Sequence, residues 1–141
     1  MKAFFTILIA DRNRNVRELL RRELAADGYQ AQTAGHAGEI AERLASGPPV
    51  DLVILDDDIA GADCAAMVRK IRTLARTLPV IVHGHGVEEA GEALSEKFTI
   101  FVKKSEDLTR LKAAVAEVLR HFQADGNAVR AFPDRAGSGR G

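Results

Sequence analysis

The sequence predicts an α/β fold, a single five-stranded parallel sheet with helices on both faces. Two observations predict it. Five short apolar runs, most of them rich in β-branched residues, are each followed by a segment with apolar residues three or four positions apart. Such runs are typical of buried parallel strands, and their alternation with helices implies right-handed crossovers that cover both faces of the sheet. A chain of 141 residues accommodates this as one domain with a real core.

The first half of the chain contains three predicted strands, at residues 4–10, 29–34 and 50–55. The helix between the first two ends at Gly28, since glycine commonly terminates helices. The second helix ends at the breaker Gly47-Pro48-Pro49. The buried faces are predicted to consist of Val16, Leu19, Leu20 and Leu24 in the first helix, and of Ala37, Ile40, Ala41 and Leu44 in the second.

The second half contains two further strands, at residues 79–83 and 98–102. A short helix over residues 87–94 connects them, and Ser105 is predicted to cap the last helix. Residues 124–141, rich in Gly, Ala and Arg, lack an apolar period and are predicted to be a disordered tail after a domain of residues 1–123. The buried stripes are Met67, Val68, Ile71 and Leu74 in the third helix, and Leu108, Leu111, Val115, Val118, Leu119 and Phe122 in the last.

The composition argues against several classes of partner. Twenty basic and twenty acidic residues cancel, so bulk electrostatics do not favour direct nucleic-acid or membrane binding. The apolar run at residues 4–10 is too short to span a membrane and no signal-peptide cleavage site follows it. The single cysteine, Cys64, excludes an intrachain disulfide and fits a cytoplasmic location; its thiol is either inert or activated by a nearby helix N-terminus.

Carboxylates follow two of the predicted strands. Asp11 ends the first apolar run, and Asp56, Asp57 and Asp58 end the third. In open α/β sheets the functional site lies beyond the carboxyl ends of the strands, so these acids predict a cation or phosphoryl site. The alternative is that one of them simply caps the following helix.

With Lys103 after the fifth strand, and with Gly84-His85-Gly86 after the fourth, residues 2–123 resemble a response-regulator receiver domain. This family is the phosphoacceptor module of bacterial two-component signalling and has a flavodoxin-like (βα)5 fold. The resemblance implies a signalling protein and not an enzyme. It implies that Asp56 accepts the phosphoryl group, that Lys103 pairs with the phosphoryl oxygens, and that Asp11 and Asp56 hold Mg²⁺.

The predicted metal site departs from the family, because Arg12 stands where a second acid usually follows the first strand. Two arrangements are possible. Asp58 could replace the missing acid as a Mg²⁺ ligand. Alternatively, Arg12 could pair with Asp58 or Asp56 and occupy the metal's place, which is favoured because it leaves no carboxylate uncompensated. Mg²⁺ binding is therefore predicted to be weakened or absent. Asp57, the intervening residue of an extended segment, is predicted to point away.

The predicted conformational switch also departs from the family. The hydroxyl residue that normally ends the fourth strand is replaced by His83 or Gly84, depending on the alignment. Counting three residues back from Lys103 places Ile100 at the usual aromatic position, and Lys104 where proline usually follows. The switch is therefore expected to be altered.

Three functions remain open from the sequence. The first is a single-domain, atypical receiver that a histidine kinase or phosphotransfer protein phosphorylates on Asp56, with output to a downstream protein through the face of the fourth helix, fifth strand and fifth helix, where a homodimer could also form. The second is a phosphorylation-independent protein-interaction module. The third, a metal-dependent hydrolase, ranks last because the chain has no Gly-rich phosphate loop.

Overall fold

The computed structural model describes residues 4–59 and 63–125, and these form a five-stranded sheet in the order β2-β1-β3-β4-β5. All neighbouring strands pair in parallel, so their carboxyl ends meet at one edge. This arrangement confirms the predicted α/β fold class. The strands are β1 (Thr6–Ala10), β2 (Gln30–Ala34), β3 (Leu52–Asp56), β4 (Val80–Gly84) and β5 (Thr99–Lys103).

Helices follow the strands in the predicted order. They are α1 (Arg14–Ala26), α2 (Ala37–Ser46), α3 (Cys64–Leu74), α4 (Val87–Ala90) and α5 (Thr109–Asp125), with a 3₁₀ helix at Gly91–Ser95 after α4. None of the described helices is long and apolar enough to cross a membrane. The predicted tail begins at residue 124, and everything after Asp125 lies outside the described residues, so the division into domain and tail stays a prediction.

The two faces of the sheet are buried in separate cores. Ile7, Leu52 and Ile54 pack on one face with α1 and α5, while Leu8, Val53 and Leu55 pack on the other with α2, α3 and the segment after β4. Side chains alternate along each strand, which is why neighbouring residues enter different cores.

Two details of the sequence prediction are wrong. The last helix begins at Thr109, not after Ser105, because Asp107 accepts hydrogen bonds from the Thr109 N–H at 2.9 Å and from its hydroxyl at 2.6 Å. Leu19 and Leu74 lie at the margins of their helix stripes and are 38% and 43% exposed. Gly28, in contrast, ends α1 as predicted, with a φ of +97° that favours glycine.

Candidate functional site

Two predicted site carboxylates lie side by side at the carboxyl edge of the sheet. Asp56 is the last residue of β3, and Asp11 directly follows β1, which pairs with β3 up to the Ala10–Leu55 register. Asp56 is 1% exposed and Asp11 is 2% exposed. The Asp11 N–H donates to the Ala34 carbonyl at 3.0 Å, which extends the β1–β2 ladder and holds this acid in place. The strands therefore bring together two nearly dry carboxyl groups.

The lysine of the site is Lys104, and the prediction of Lys103 is wrong in this respect. Lys104 Nζ lies 3.0 Å from Asp56 Oδ1 and 3.2 Å from Asp11 Oδ2. Lys103 is exposed at the end of β5, where it lines a surface pocket with Arg110. The reason is strand alternation: Val102 packs in the α1–α5 core, on the side of the sheet to which Asp56 belongs, and Lys104 follows it by two residues.

The aromatic position of the switch is counted three residues back from the site lysine, so it changes when that lysine is Lys104. Phe101 lies three residues before Lys104, so the prediction of Ile100 for that position is wrong by the same single residue. Ile100 is a buried member of the α1–α5 core, whereas Phe101 is half-buried against the α2–α3 core. The spacing between Phe101 and Lys104 was present in the sequence and was the signal that could have identified the lysine.

Asp56 and Lys104 each favour the charged form of the other. Burial opposes ionisation of Asp56, but hydrogen bonds from Lys104 and from the N–H groups of Asp58 and Arg12 outweigh it and hold the pKa of Asp56 below its ordinary value. Burial also acts against the Lys104 ammonium, yet its contacts with Asp56 and Asp11 raise the Lys104 pKa. Burial and the neighbouring Asp56 raise the pKa of Asp11. At neutral pH the site thus holds an ionised Asp56 carboxylate beside the Lys104 ammonium group.

Arg12 is paired with Asp58, which is the second of the two predicted arrangements. Its Nη2 donates to Asp58 Oδ2 at 3.1 Å, and its Nε lies 3.9 Å from Asp56 Oδ2. The backbone N–H of Arg12 donates to the same Asp56 oxygen at 3.2 Å. The Arg12 side chain remains 63% exposed, so the guanidinium lies on the solvent side of the site.

Asp57 is buried against β4. It is 4% exposed, and its Oδ2 accepts a hydrogen bond from the His85 N–H at 3.4 Å. Its Oδ1 has no hydrogen-bond partner within the described part of the chain. Burial and the nearby Asp58 raise the pKa of Asp57 above its ordinary value. The prediction that Asp57 points away from the site is wrong, because its carboxyl group is buried and one of its oxygens lies within 4.8 Å of oxygens of Asp56 and Asp58.

The two predicted switch positions lie at the end of β4. His83 pairs in register with Asp56 and is 3% exposed; burial and the Lys104 charge lower the pKa of His83 to about 4, so its ring is neutral. Gly84 follows, and its carbonyl accepts from the Lys104 N–H at 2.6 Å. Neither residue supplies a hydroxyl group. Cys64 is also buried, and burial raises the pKa of its thiol to about 12, which favours the inert alternative.

Mg²⁺ in proteins is held by one or two carboxylates together with water and phosphate oxygens. Oxygens of Asp56, Asp57 and Asp58 lie within 4.8 Å of one another, so suitable ligands are present. Each of Asp11, Asp56 and Asp58 nevertheless already has Lys104 or Arg12 within hydrogen-bonding distance. The carboxylates fit the ion, and two cations already lie against them.

Comparisons with known proteins agree with this geometry. The sequence profile of the response regulator receiver domain matches residues 7–116. Response regulator MprA of Mycolicibacterium vanbaalenii is 32% identical over 118 residues, which cover 84% of this chain and 48% of that protein. MprA of Mycobacterium ulcerans is 30% identical over 118 residues, which again cover 84% of this chain and 48% of that protein. The chain therefore spans about half the length of these relatives.

Solved structures have the same fold. The response regulator TrrA of Thermotoga maritima, in complex with Mg²⁺-BeF, superposes with a TM-score of 0.71 at 27% identity, covering 80% of this chain and 97% of that one. TrrA has also been solved in complex with the histidine kinase ThkA. A CheY-like receiver domain from Methanospirillum hungatei superposes with a TM-score of 0.78 at 18% identity, over 88% of this chain and all of that one.

Proposed function

Because the chain belongs to the response regulator receiver domain family, we propose that it is an atypical receiver that accepts a phosphoryl group on Asp56 in a phosphorelay. One observation carries the proposal: the buried Asp56 carboxylate has a depressed pKa and lies 3.0 Å from the Lys104 ammonium. An ionised carboxylate is the form that attacks phosphorus, and a fixed ammonium neutralises the charge that spreads over the phosphoryl oxygens.

The donor in this proposal is a phosphorylated histidine on a kinase or phosphotransfer protein. A carboxylate oxygen of Asp56 bonds to phosphorus while the phosphorus–nitrogen bond of the donor breaks, and the imidazole leaves with the bond's electron pair. The Lys104 ammonium neutralises the negative charge on the phosphoryl oxygens. Asp11, 3.2 Å from Lys104 Nζ, holds the ammonium in position throughout. Asp56 does not need to lose a proton first, since this carboxylate is already ionised.

Mg²⁺ would be held by Asp11, Asp56 and Asp58, and when bound it would neutralise phosphoryl charge. We propose that the Arg12 guanidinium competes with Mg²⁺ for this site. At about 5 Å and an effective dielectric near 20, repulsion between a guanidinium and a divalent ion is on the order of 6 kcal/mol, an upper limit because the exposed Arg12 can swing away. The Arg12–Asp58 pair thus weakens metal binding, and the Arg12 guanidinium supplies positive charge near Asp56.

The test is phosphorylation by a small phosphodonor such as acetyl phosphate, with and without Mg²⁺. Asp56→Asn keeps the side-chain shape and removes the nucleophile, so the label should disappear. The bound phosphoryl group should be released by hydroxylamine, which cleaves acyl phosphates, and should survive acid. Absence of label on the wild-type protein under both metal conditions would contradict the proposal.

A second candidate function is a phosphorylation-independent binding module. The observation that favours it is the positive charge already in the site: Lys104 and Arg12 neutralise carboxylates that a metal would otherwise neutralise. In this case Asp56→Asn and Asp56→Glu would leave binding of the downstream protein, or formation of a homodimer through α4, β5 and α5, unchanged. A large change in either affinity would eliminate this candidate. Both functions fit a cytoplasmic protein.

A further inference from the structure

The position of Asp57 is tied to the absence of a side chain at Gly84. A β-carbon built on Gly84 would lie 2.0 Å from Asp57 Oδ2, 2.3 Å from its Cγ and 2.9 Å from its Oδ1. These three atoms are its nearest neighbours, and atoms do not approach so closely. Any residue other than glycine at position 84 would therefore displace the Asp57 carboxyl group. Gly84 is required here by space and not by a positive φ.

Asp57 also joins two segments of the site. Its backbone follows the nucleophile Asp56 directly, and its N–H donates to the His83 carbonyl at 3.4 Å. Its carboxyl group extends over Gly84 and accepts from the His85 N–H, at the start of the loop that leads into α4. One side chain thus connects the end of β3 with the β4–α4 loop.

Burial of the other carboxyl oxygen of Asp57 is energetically unfavourable. Asp57 Oδ1 is buried and lacks a hydrogen-bond partner among the described residues. Buried polar atoms are rarely left unpaired, since burial without a partner is unfavourable. An apolar side chain that fits the same space over Gly84 would not carry this cost. The acid is therefore not explained by packing alone.

We propose that Asp57 is the positioning residue that couples Asp56 to the β4–α4 loop, with its carboxyl group occupying the space that a hydroxyl side chain at position 84 would fill. The coupling rests on the proposed phosphorylation of Asp56; the pairing of Asp57 with Gly84 does not. Displacement of Asp56 on phosphorylation would move the adjacent Asp57 and change its hydrogen bond to His85, and with it the loop and α4.

The pairing is tested by thermal unfolding of Gly84→Ala in two backgrounds. In the wild-type background the new methyl group meets the Asp57 carboxyl group, and Tm should fall by roughly 5–10 °C, or the variant should fail to fold. In the Asp57→Ala background the space is free, and the same substitution should change Tm by less than about 2 °C. Equal losses in both backgrounds, or a double variant that does not fold, would overturn the pairing.

The coupling is tested by the amide proton of His85, followed by NMR before and after acetyl phosphate. We expect its signal to shift in the wild-type protein and in Asp57→Asn, which keeps an acceptor oxygen. In Asp57→Ala the shift should be lost, while mass spectrometry should still detect phosphorylation of Asp56. Glu88→Gln, at an exposed acid of α4 outside the phosphoryl and metal site, is the control for loss of a nearby negative charge and should retain the shift.

The outcomes separate the two proposals. A wild-type protein that is phosphorylated without a shift at His85, or a shift that persists in Asp57→Ala, would overturn the coupling and leave the proposed function standing. No phosphorylation of the wild-type protein would overturn the proposed function and the coupling together. The unfolding experiment would still decide whether Asp57 and Gly84 are a matched pair.

Discussion

Replacing Lys104 by methionine removes the ammonium group but keeps most of the side-chain volume. Asp11 and Asp56, which are 2% and 1% exposed, then face each other without a cation between them. Breaking a buried ion pair by removing one partner typically costs 3–5 kcal/mol. Because Lys104 itself retains 18% exposure and water can reach the gap, we expect the low end, about 3 kcal/mol at pH 7.

The loss should depend on pH in a defined direction. Without Lys104, the folded-state pKa of Asp56 rises above its unfolded value, and the pKa of Asp11, which is already raised, rises further. Groups shifted upward destabilise the fold as pH rises through the unfolded pKa, and protonation below that pH removes the penalty. The difference between Lys104→Met and wild type should therefore be largest at neutral pH and shrink below about pH 4.

Urea unfolding measures the stability, and acetyl phosphate labelling of Asp56 measures the function. Lys103→Met is the matched control, since Lys103 is exposed and lies one residue away. We expect it to change stability by less than about 0.5 kcal/mol. Labelling should slow by about 10²–10³-fold in Lys104→Met, the usual effect of removing one fixed group that stabilises transition-state charge. Equal effects of the two substitutions, or a larger effect of Lys103→Met, would refute the assignment of Lys104.

Three further predictions concern the same edge of the sheet. Arg12→Asp should tighten Mg²⁺ binding at least ~10-fold, or about 1.4 kcal/mol, by titration calorimetry; unchanged affinity would exclude competition by Arg12. Asp57→Asn should raise the urea midpoint at pH 7 but not at about pH 3, because the raised pKa of Asp57 penalises the fold only once the unfolded carboxyl ionises. The pKa of His83 is about 4 in the folded protein, so the unfolded ring binds its proton first and the free energy of unfolding should fall by about 3 kcal/mol between about pH 6.5 and pH 4. In urea unfolding, His83→Asn should lack this dependence on pH, and an unaltered dependence would contradict the assignment.

The strand ends show where prediction from sequence succeeded. Asp11 and Asp56 each follow an apolar run, and parallel pairing necessarily brings such positions to one edge of the sheet. The same reasoning failed for the lysine by one residue. Apolar runs define strands to within a residue or two, and in a strand an error of one residue transfers a side chain to the opposite face. Only Phe101, three residues before Lys104, marked the correct position.

The sequence by itself determined the order of strands and helices, the two carboxylates at the sheet edge and the unusual Arg12, because periodicity and strand ends are local properties. The tertiary structure decided the identity of the lysine, the pairing of Arg12 with Asp58, and the burial of Asp57 over Gly84. These depend on contacts between residues 28–48 positions apart, where distances of a few ångströms and the absence of one β-carbon select the partner. No local pattern carries that information.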